Sequence, residues 1–322
     1  MSRSDQELIV GAEEAGRRLD QVLAERFDVS RSQLEKHVEA GAVTVDGAPP
    51  ERGKRTRLVE GTRVRYEPPP PEPMTLEPEP MALSILHEDE QLLVVDKPAD
   101  VVVHPGEGHP RGTLLAGVLH HLGQLPRTDP IRPGVVHRLD RGTTGVIVFA
   151  KTVEAHAALV EAFRDRRVDK TYLAITQGVP KPAEGTFDTF YGRHPHHRQR
   201  FSSTVPVGKR AVTHYEVLEA YPGAASIQVG LETGRTHQIR VHFADAGHPL
   251  VGDATYTRRR VIRDPATKAL CDPWERPALH AWELALRHPV SGRKLRFTAP
   301  MPDDMIALVE GLREVAAKRD RP

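Results

Sequence analysis

The chain has 322 residues, with 45 Lys+Arg against 44 Asp+Glu and a formal net charge of +1, so bulk charge alone does not announce a nucleic-acid binder. Its 39% hydrophobic and 28% charged content predicts a globular protein, and the single cysteine, Cys271, excludes an intrachain disulfide or a Cys-based zinc site. No run of about eighteen apolar residues is present to span a bilayer, and the N-terminal residues lack the apolar core of a signal peptide, so a cytoplasmic protein with no membrane partner is expected.

From the N-terminus, residues 1–66 form a first unit with its core at about 16–66. Leu19, Val22, Leu23 and Phe27 repeat at helical spacing, and Ser30 is a suitable cap for a second helix carrying Leu34 and Val38 and ending at Gly41. Val43–Val45 and Thr62–Tyr66 alternate as short strands, with Asp46-Gly47 as a hairpin turn. The pattern Arg18-Leu19-Asp20-x-x-Leu23, Ser30-Arg31-Ser32-x-Leu34 and Gly41-x-Val43-x-Val45-Asp46-Gly47 resembles an S4 domain, a small RNA-binding module. That resemblance implies that Arg17, Arg18, Arg31 and Lys36 face RNA. Between Arg52 and Arg65 six Lys/Arg stand against one acid, Glu60, a local excess suited to phosphates.

Glu67–Pro80 holds seven prolines and four glutamates, which favours an extended segment and predicts a linker over 67–82. The main domain is expected over 83–322. Strand patterns fall at 92–95, 146–150, 172–175, 212–218, 226–231, 281–286 and 294–297, and helical patterns at about 113–122, 153–166, 236–246 and 303–317. Strands outnumber helices without alternating strictly with them, which predicts an α+β domain with a mostly antiparallel sheet. From Thr189 to Tyr215 there is no acid, while Arg193, Arg198, Arg200, Lys209 and Arg210 form a second basic strip.

The most informative stretch is His137-Arg138-Leu139-Asp140, followed by Arg141-Gly142-Thr143-Thr144-Gly145 and the apolar run 146–150. A carboxylate before a Gly/Thr turn and a buried strand places a charge at the rim of a sheet, where function gathers. With Asp96-Lys97-Pro98, His104-Pro105, Lys170-Thr171-Tyr172, Thr233 to His242, Gly247 to Asp253 and Leu279-His280-Ala281, in this order, the stretch resembles the RluA-type pseudouridine synthases. The resemblance implies a pseudouridine synthase fold with a mostly antiparallel mixed sheet and a central cleft. It also implies an isomerase acting on RNA uridines, most closely on large-subunit rRNA, with RNA or an assembling particle as partner; a monomer is expected.

The resemblance assigns catalytic roles to Asp140 as nucleophile, Tyr172 stacking on the uracil and Arg235 beside the aspartate. Substrate contacts fall on His137, Arg138, Leu139, Thr143, Lys170, His237 and Arg240, and RNA contacts outside the cleft on the S4 residues and on Arg198, Arg200 and Lys209. Isomerisation conserves atoms, so neither cofactor nor metal is expected; His237 and His242, five apart, make an awkward ligand pair on a helix. Gly142 stands where the family often has an acid. Other rRNA or tRNA uridines, or an RNA-binding protein with an idle catalytic fold, are the alternatives.

Overall fold

The computed structural model describes residues 7–27, 29, 31–68, 76–106, 108–195, 197, 200–257 and 262–319, with the backbone alone for 31–33. It divides into two compact units, Met1–Pro73 and Met74–Pro322.

The first unit runs β1 (Glu7–Ile9), α1 (Leu19–Phe27), α2 (Arg31–Glu39), β2 (Val43–Val45) and β3 (Arg63–Tyr66), with an antiparallel sheet in the order β1-β3-β2. Leu19, Val22 and Leu23 of α1 and Leu34 of α2 close on Val43, Val64 and Tyr66, so the apolar stripe read from helical spacing is this unit's core. Asp46 and Gly47 both have positive φ, at 49° and 81°. Their turn closes Val45 onto Ala48 rather than joining β2 to β3 directly, because the intervening chain makes a further loop through a 3-10 turn at Gly53–Arg55. Ser30 lies outside the described residues.

The second unit is an α+β fold built on a ten-stranded mixed sheet. In chain order its strands are β4 (Ser84–Glu88), β5 (Leu92–Lys97), β6 (Thr144–Ala150), β7 (Asp169–Gln177), β8 (Glu184–Arg193), β9 (Phe201–Ser202), β10 (Lys209–Tyr221), β11 (Ala224–Leu231), β12 (Leu279–Arg287) and β13 (Lys294–Thr298). They lie in the order β4-β5-β6-β12-β7-β11-β10-β8-β9, with β13 on β12. The β6–β12 pairing is parallel and the other ladders are antiparallel. Every residue of β6 is buried, which is why it reads as a continuous apolar run rather than an alternating one.

Among the described residues five helices accompany the sheet: α3 (Leu114–Leu122), α4 (Val153–Arg164), α5 (Gln238–Asp245), α6 (Pro265–Cys271) and α7 (Asp303–Arg319). Thr113 and Thr152 cap α3 and α4 by accepting the Ala116 and Ala155 amides, and Asp264 caps α6 ahead of Pro265. Part of the proline-rich stretch belongs to this unit. Leu76 and Met81 pack on its core, Glu79 accepts the Gly112 amide at 2.8 Å, and Glu77 pairs with Arg111. The anticipated linker therefore ends as a strap on the second unit, because its glutamates and apolar side chains find partners there. Among the described residues no helix is long and apolar enough to cross a membrane.

Candidate active site

The Asp140 segment is pinned at successive residues. Val148 N–H donates to His137 Nε2 at 3.0 Å, and the imidazole stacks on Phe163 at 4.7 Å. Leu139 is buried in the core below. Past Asp140, the buried Lys97 amine donates to the carbonyl of Arg141 at 3.0 Å and to those of Pro98 and Val101 at 2.8 and 2.7 Å. Burial pulls the Lys97 pKa down to about 7, while the charges of Asp140 and Asp100 pull the other way. Arg276, held by Asp304 in a two-pronged contact, donates to the Gly142 carbonyl at 3.2 Å, and Thr144 Oγ1 meets His280 Nδ1 at 2.8 Å. A Cβ at position 142 would crowd Pro277 Cδ at 3.0 Å, so glycine suits the way this turn packs.

Facing this loop is the entry to α5. Gln238 Oε1 accepts from Thr233 Oγ1 and from the Arg235 amide, while its Nε2 donates to the Val212 carbonyl and Thr213 Oγ1. His237 occupies the left-handed region at φ 60°, a strained state for a non-glycine residue. That bend turns the first helical residues toward Asp140. Arg240, 7% exposed, gives Nε and Nη2 to the two Asp253 oxygens at 2.7 and 2.9 Å and Nη1 to Asp140 Oδ2 at 3.1 Å. Burial opposes its charge, but the carboxylates, Asp253 foremost, outweigh it and raise the Arg240 pKa. Asp140 Oδ1 is left without a protein partner among the described residues.

Around Asp140 lies a cleft of about 100 Å³. Tyr172 lines it, its hydroxyl pKa raised by burial and by the Asp140 charge, so it stays a phenol near neutral pH. Thr143 lines it with a buried Oγ1 that has no hydrogen-bond partner among the described residues. His237 Nε2 stands 3.9 Å from Asp140 Oδ2, its pKa lowered by burial, and its Nδ1 meets Tyr256 Oη at 2.9 Å. Tyr256 already accepts the Phe201 amide and has its own proton to give, which assigns Nδ1 as acceptor and leaves Nε2–H facing Asp140.

Of the residues singled out from the sequence, Arg138, Leu139, Asp140, Thr143, Tyr172, Arg235, His237 and Arg240 line this cleft, and His137 and Lys170 do not. His137 turns away to serve Val148 and Phe163, and Lys170 lies outside the lining, its pKa lowered by burial. The arginine beside Asp140 is Arg240, not Arg235. The chain turns at residues 235–237 before α5, leaving the Arg235 guanidinium on the Arg210 carbonyl at 3.4 Å. In the first unit Arg18 is committed to the buried Asp20 at 2.9 and 2.8 Å and Arg17 to Glu25, which leaves Lys36 exposed for a ligand. The Arg31 side chain and Arg198 lie outside the described residues; Arg200 and Lys209 sit on the β8–β10 arm. Asp253 and Tyr256 carried no assigned role in the sequence. The signal for Asp253 was available, since a buried arginine demands a buried acid.

A carboxylate held in a cleft by a buried arginine, beside a phenol, is the arrangement of an enzyme site rather than of a packing core. The family model for RNA pseudouridylate synthase matches residues 91–245 and the S4 domain model residues 17–49. The chain is 43% identical over 312 residues to ribosomal large subunit pseudouridine synthase D of Neisseria meningitidis, covering 95% of this chain and 81% of the relative. To the protein of the same name from Escherichia coli K12 it is 41% identical over 308 residues, covering 94% and 93%. The solved structure of human RNA pseudouridylate synthase domain containing 4 superposes with a TM-score of 0.57 at 28% identity, covering 71% of this chain and 93% of that one. This chain belongs to the RNA pseudouridylate synthase family, with an N-terminal S4 domain. It is an isomerase of RNA uridines.

Proposed function

We propose that the chain converts uridines of large-subunit ribosomal RNA to pseudouridine with Asp140 as nucleophile. The observation that carries the nucleophile is the Asp253–Arg240–Asp140 chain of contacts, which grips Oδ2 at 3.1 Å and leaves Oδ1 to the substrate. The substrate assignment is supported by relatives at 41–43% identity that share more than nine-tenths of this chain and bear that name.

The reaction breaks the N1–C1′ bond, turns the detached uracil and joins C5 to C1′; the C5 proton leaves and N1 gains one, so atoms balance with no redox step. Asp140 can add to C1′, add to the base or remove a sugar proton, and each route starts from an ionised carboxylate near the sugar. Arg240 orients that carboxylate by its hydrogen bond to Oδ2. The Tyr172 ring offers a face for the uracil, the Thr143 hydroxyl and His237 Nε2–H offer donors, and the core below Leu139 keeps the floor rigid. The uridine leaves its stack at a cost of a few kcal/mol, which favours loop nucleotides.

Tritium release from large-subunit rRNA labelled with 5-³H-uridine tests this. Release by the wild type and none by Asp140→Ala, at nearly equal RNA affinity, is expected. Activity in Asp140→Ala would remove the nucleophile from Asp140. Release from tRNA alone would replace the substrate, and binding without release from either would leave an RNA binder.

A further inference from the structure

Beside the catalytic cleft lies a second cavity of about 260 Å³, bordered by His104, His109, Arg138, Leu139 and Arg141. Arg138 and Leu139 line both spaces. We propose that this cavity binds a phosphodiester group of the RNA strand whose uridine occupies the cleft. The proposal rests on the reading of the chain as an RNA uridine isomerase and adds where the strand's backbone is held.

The charged and ionisable side chains of the lining are two guanidinium groups and two imidazoles, with no carboxylate among the described residues. Arg138 makes no hydrogen bond or ion pair with the protein among the described residues. Arg141 Nη1 lies 3.4 Å from His109 Nε2. Guanidinium only donates, so that nitrogen accepts and the second His109 nitrogen keeps its proton to offer an anion. The acid nearest Arg141 is Asp100, whose Oδ1 is 3.7 Å from Nε; its side chain is 74% exposed, and so exposed a pair neutralises little. His104 gives its Nδ1 proton to the Pro105 carbonyl at 3.0 Å and serves as wall rather than donor.

Position decides the ligand class. Asp140 sits in sequence between Leu139, shared by both spaces, and Arg141. With consecutive Cα atoms about 3.8 Å apart, a base in the cleft and a phosphate of its own backbone are within each other's reach. An anion seated there would hold the flipped nucleotide by its backbone while the cleft holds the base, a contact that positions without reading sequence.

Truncating Arg141 gives up its Nε bond to the Asp100 carbonyl at 3.2 Å but keeps the Lys97 grip on its own carbonyl, and Arg141→Lys keeps the charge. Filter binding of transcribed large-subunit rRNA to the full chain across a potassium chloride series would compare wild type, Arg141→Ala, Arg141→Lys and His109→Ala. Arg141→Ala is expected to weaken binding about tenfold near physiological salt and to reduce the slope of log affinity against log salt by about one, with Arg141→Lys restoring the slope. His109→Ala, expected to weaken binding several-fold, keeps the test open if Arg141→Ala melts early. Unchanged affinity and slope in the folded variants would overturn the proposal. So would a variant that loses only protection against heat by inorganic phosphate, which would make the cavity a site for free anions. Tritium release by wild type, run alongside, reports on the isomerase reading separately. Its absence with an altered slope would leave the phosphate contact standing and remove the reaction.

Discussion

At the scale of single residues, the site depends on one guanidinium shared by two carboxylates. Asp253 is 1% exposed, so its charge has no recourse to water and must be met by Arg240. Replacing Arg240 by Ala leaves a buried carboxylate unpaired and is expected to cost about 3–5 kcal/mol, read as a lower urea midpoint. Arg240→Lys keeps the charge but not the fork, so Asp140 loses its fixed orientation and kcat is expected to fall about a hundredfold. Arg235→Ala, whose guanidinium is not on Asp140, is expected to act mainly on KM. If instead Arg235→Ala abolished turnover and Arg240→Lys did not, the assignment of partner to Asp140 would be reversed.

At the scale of elements, the Asp140 loop is placed by strand joins and by neutral histidines packed behind it. Gly145 has φ 110°, and a Cβ there would collide with the Ala281 carbonyl where β6 and β12 run parallel. Gly145→Ala is therefore expected to destabilise the second unit by at least about 2–3 kcal/mol, visible in a thermal melt. His242 on α5 bridges Thr213 of β10 and Thr189 of β8 at 2.8 and 3.0 Å, and His137 is stacked behind the Asp140 loop. Burial lowers the two pKa values from 6.5 to about 4 and about 3. The unfolded chain binds protons at both that the folded chain refuses, so stability falls as pH drops from about 6.5. The fall is on the order of 1.4 kcal/mol per pH unit for each group, ending near pH 4 for His242 and near pH 3 for His137. His242→Gln is expected to remove about half of this added slope in urea titrations between pH 6 and pH 4; an unchanged slope would mean that His242 titrates normally in the fold.

At the scale of the whole molecule, each unit carries its own apolar core, and the cleft residues all belong to the second. A chain beginning at Met74 is expected to fold, by far-UV circular dichroism, and to release tritium at saturating RNA while showing a raised KM. Of the blocks quoted from the sequence, some lie on β5, β7, β12 and α5, elements whose periodicity was legible because their residues are buried on one face or both, while His104-Pro105, His137 to Asp140 and Gly247 to Asp253 lie in loops. Other elements were not legible. β8 mixes Thr, Asp and Gly along a half-exposed edge region, β1 and β9 are only two or three residues long, and α6 is a seven-residue helix. The chemistry-bearing side chains around Asp140 were legible by type and order, since a carboxylate, a phenol and an arginine-rich loop recur in one pattern. By itself the sequence determined the strand-rich α+β class and singled out the aspartate proposed as nucleophile. Only the tertiary structure decided that Arg240 rather than Arg235 meets it, that His137 turns to the strand behind, and that a second cationic cavity adjoins the cleft. The physical reason is separation along the chain. Periodicity reports neighbours a few residues apart, whereas the Arg240–Asp140 contact joins residues one hundred apart, through a bend at His237 that no local pattern specifies.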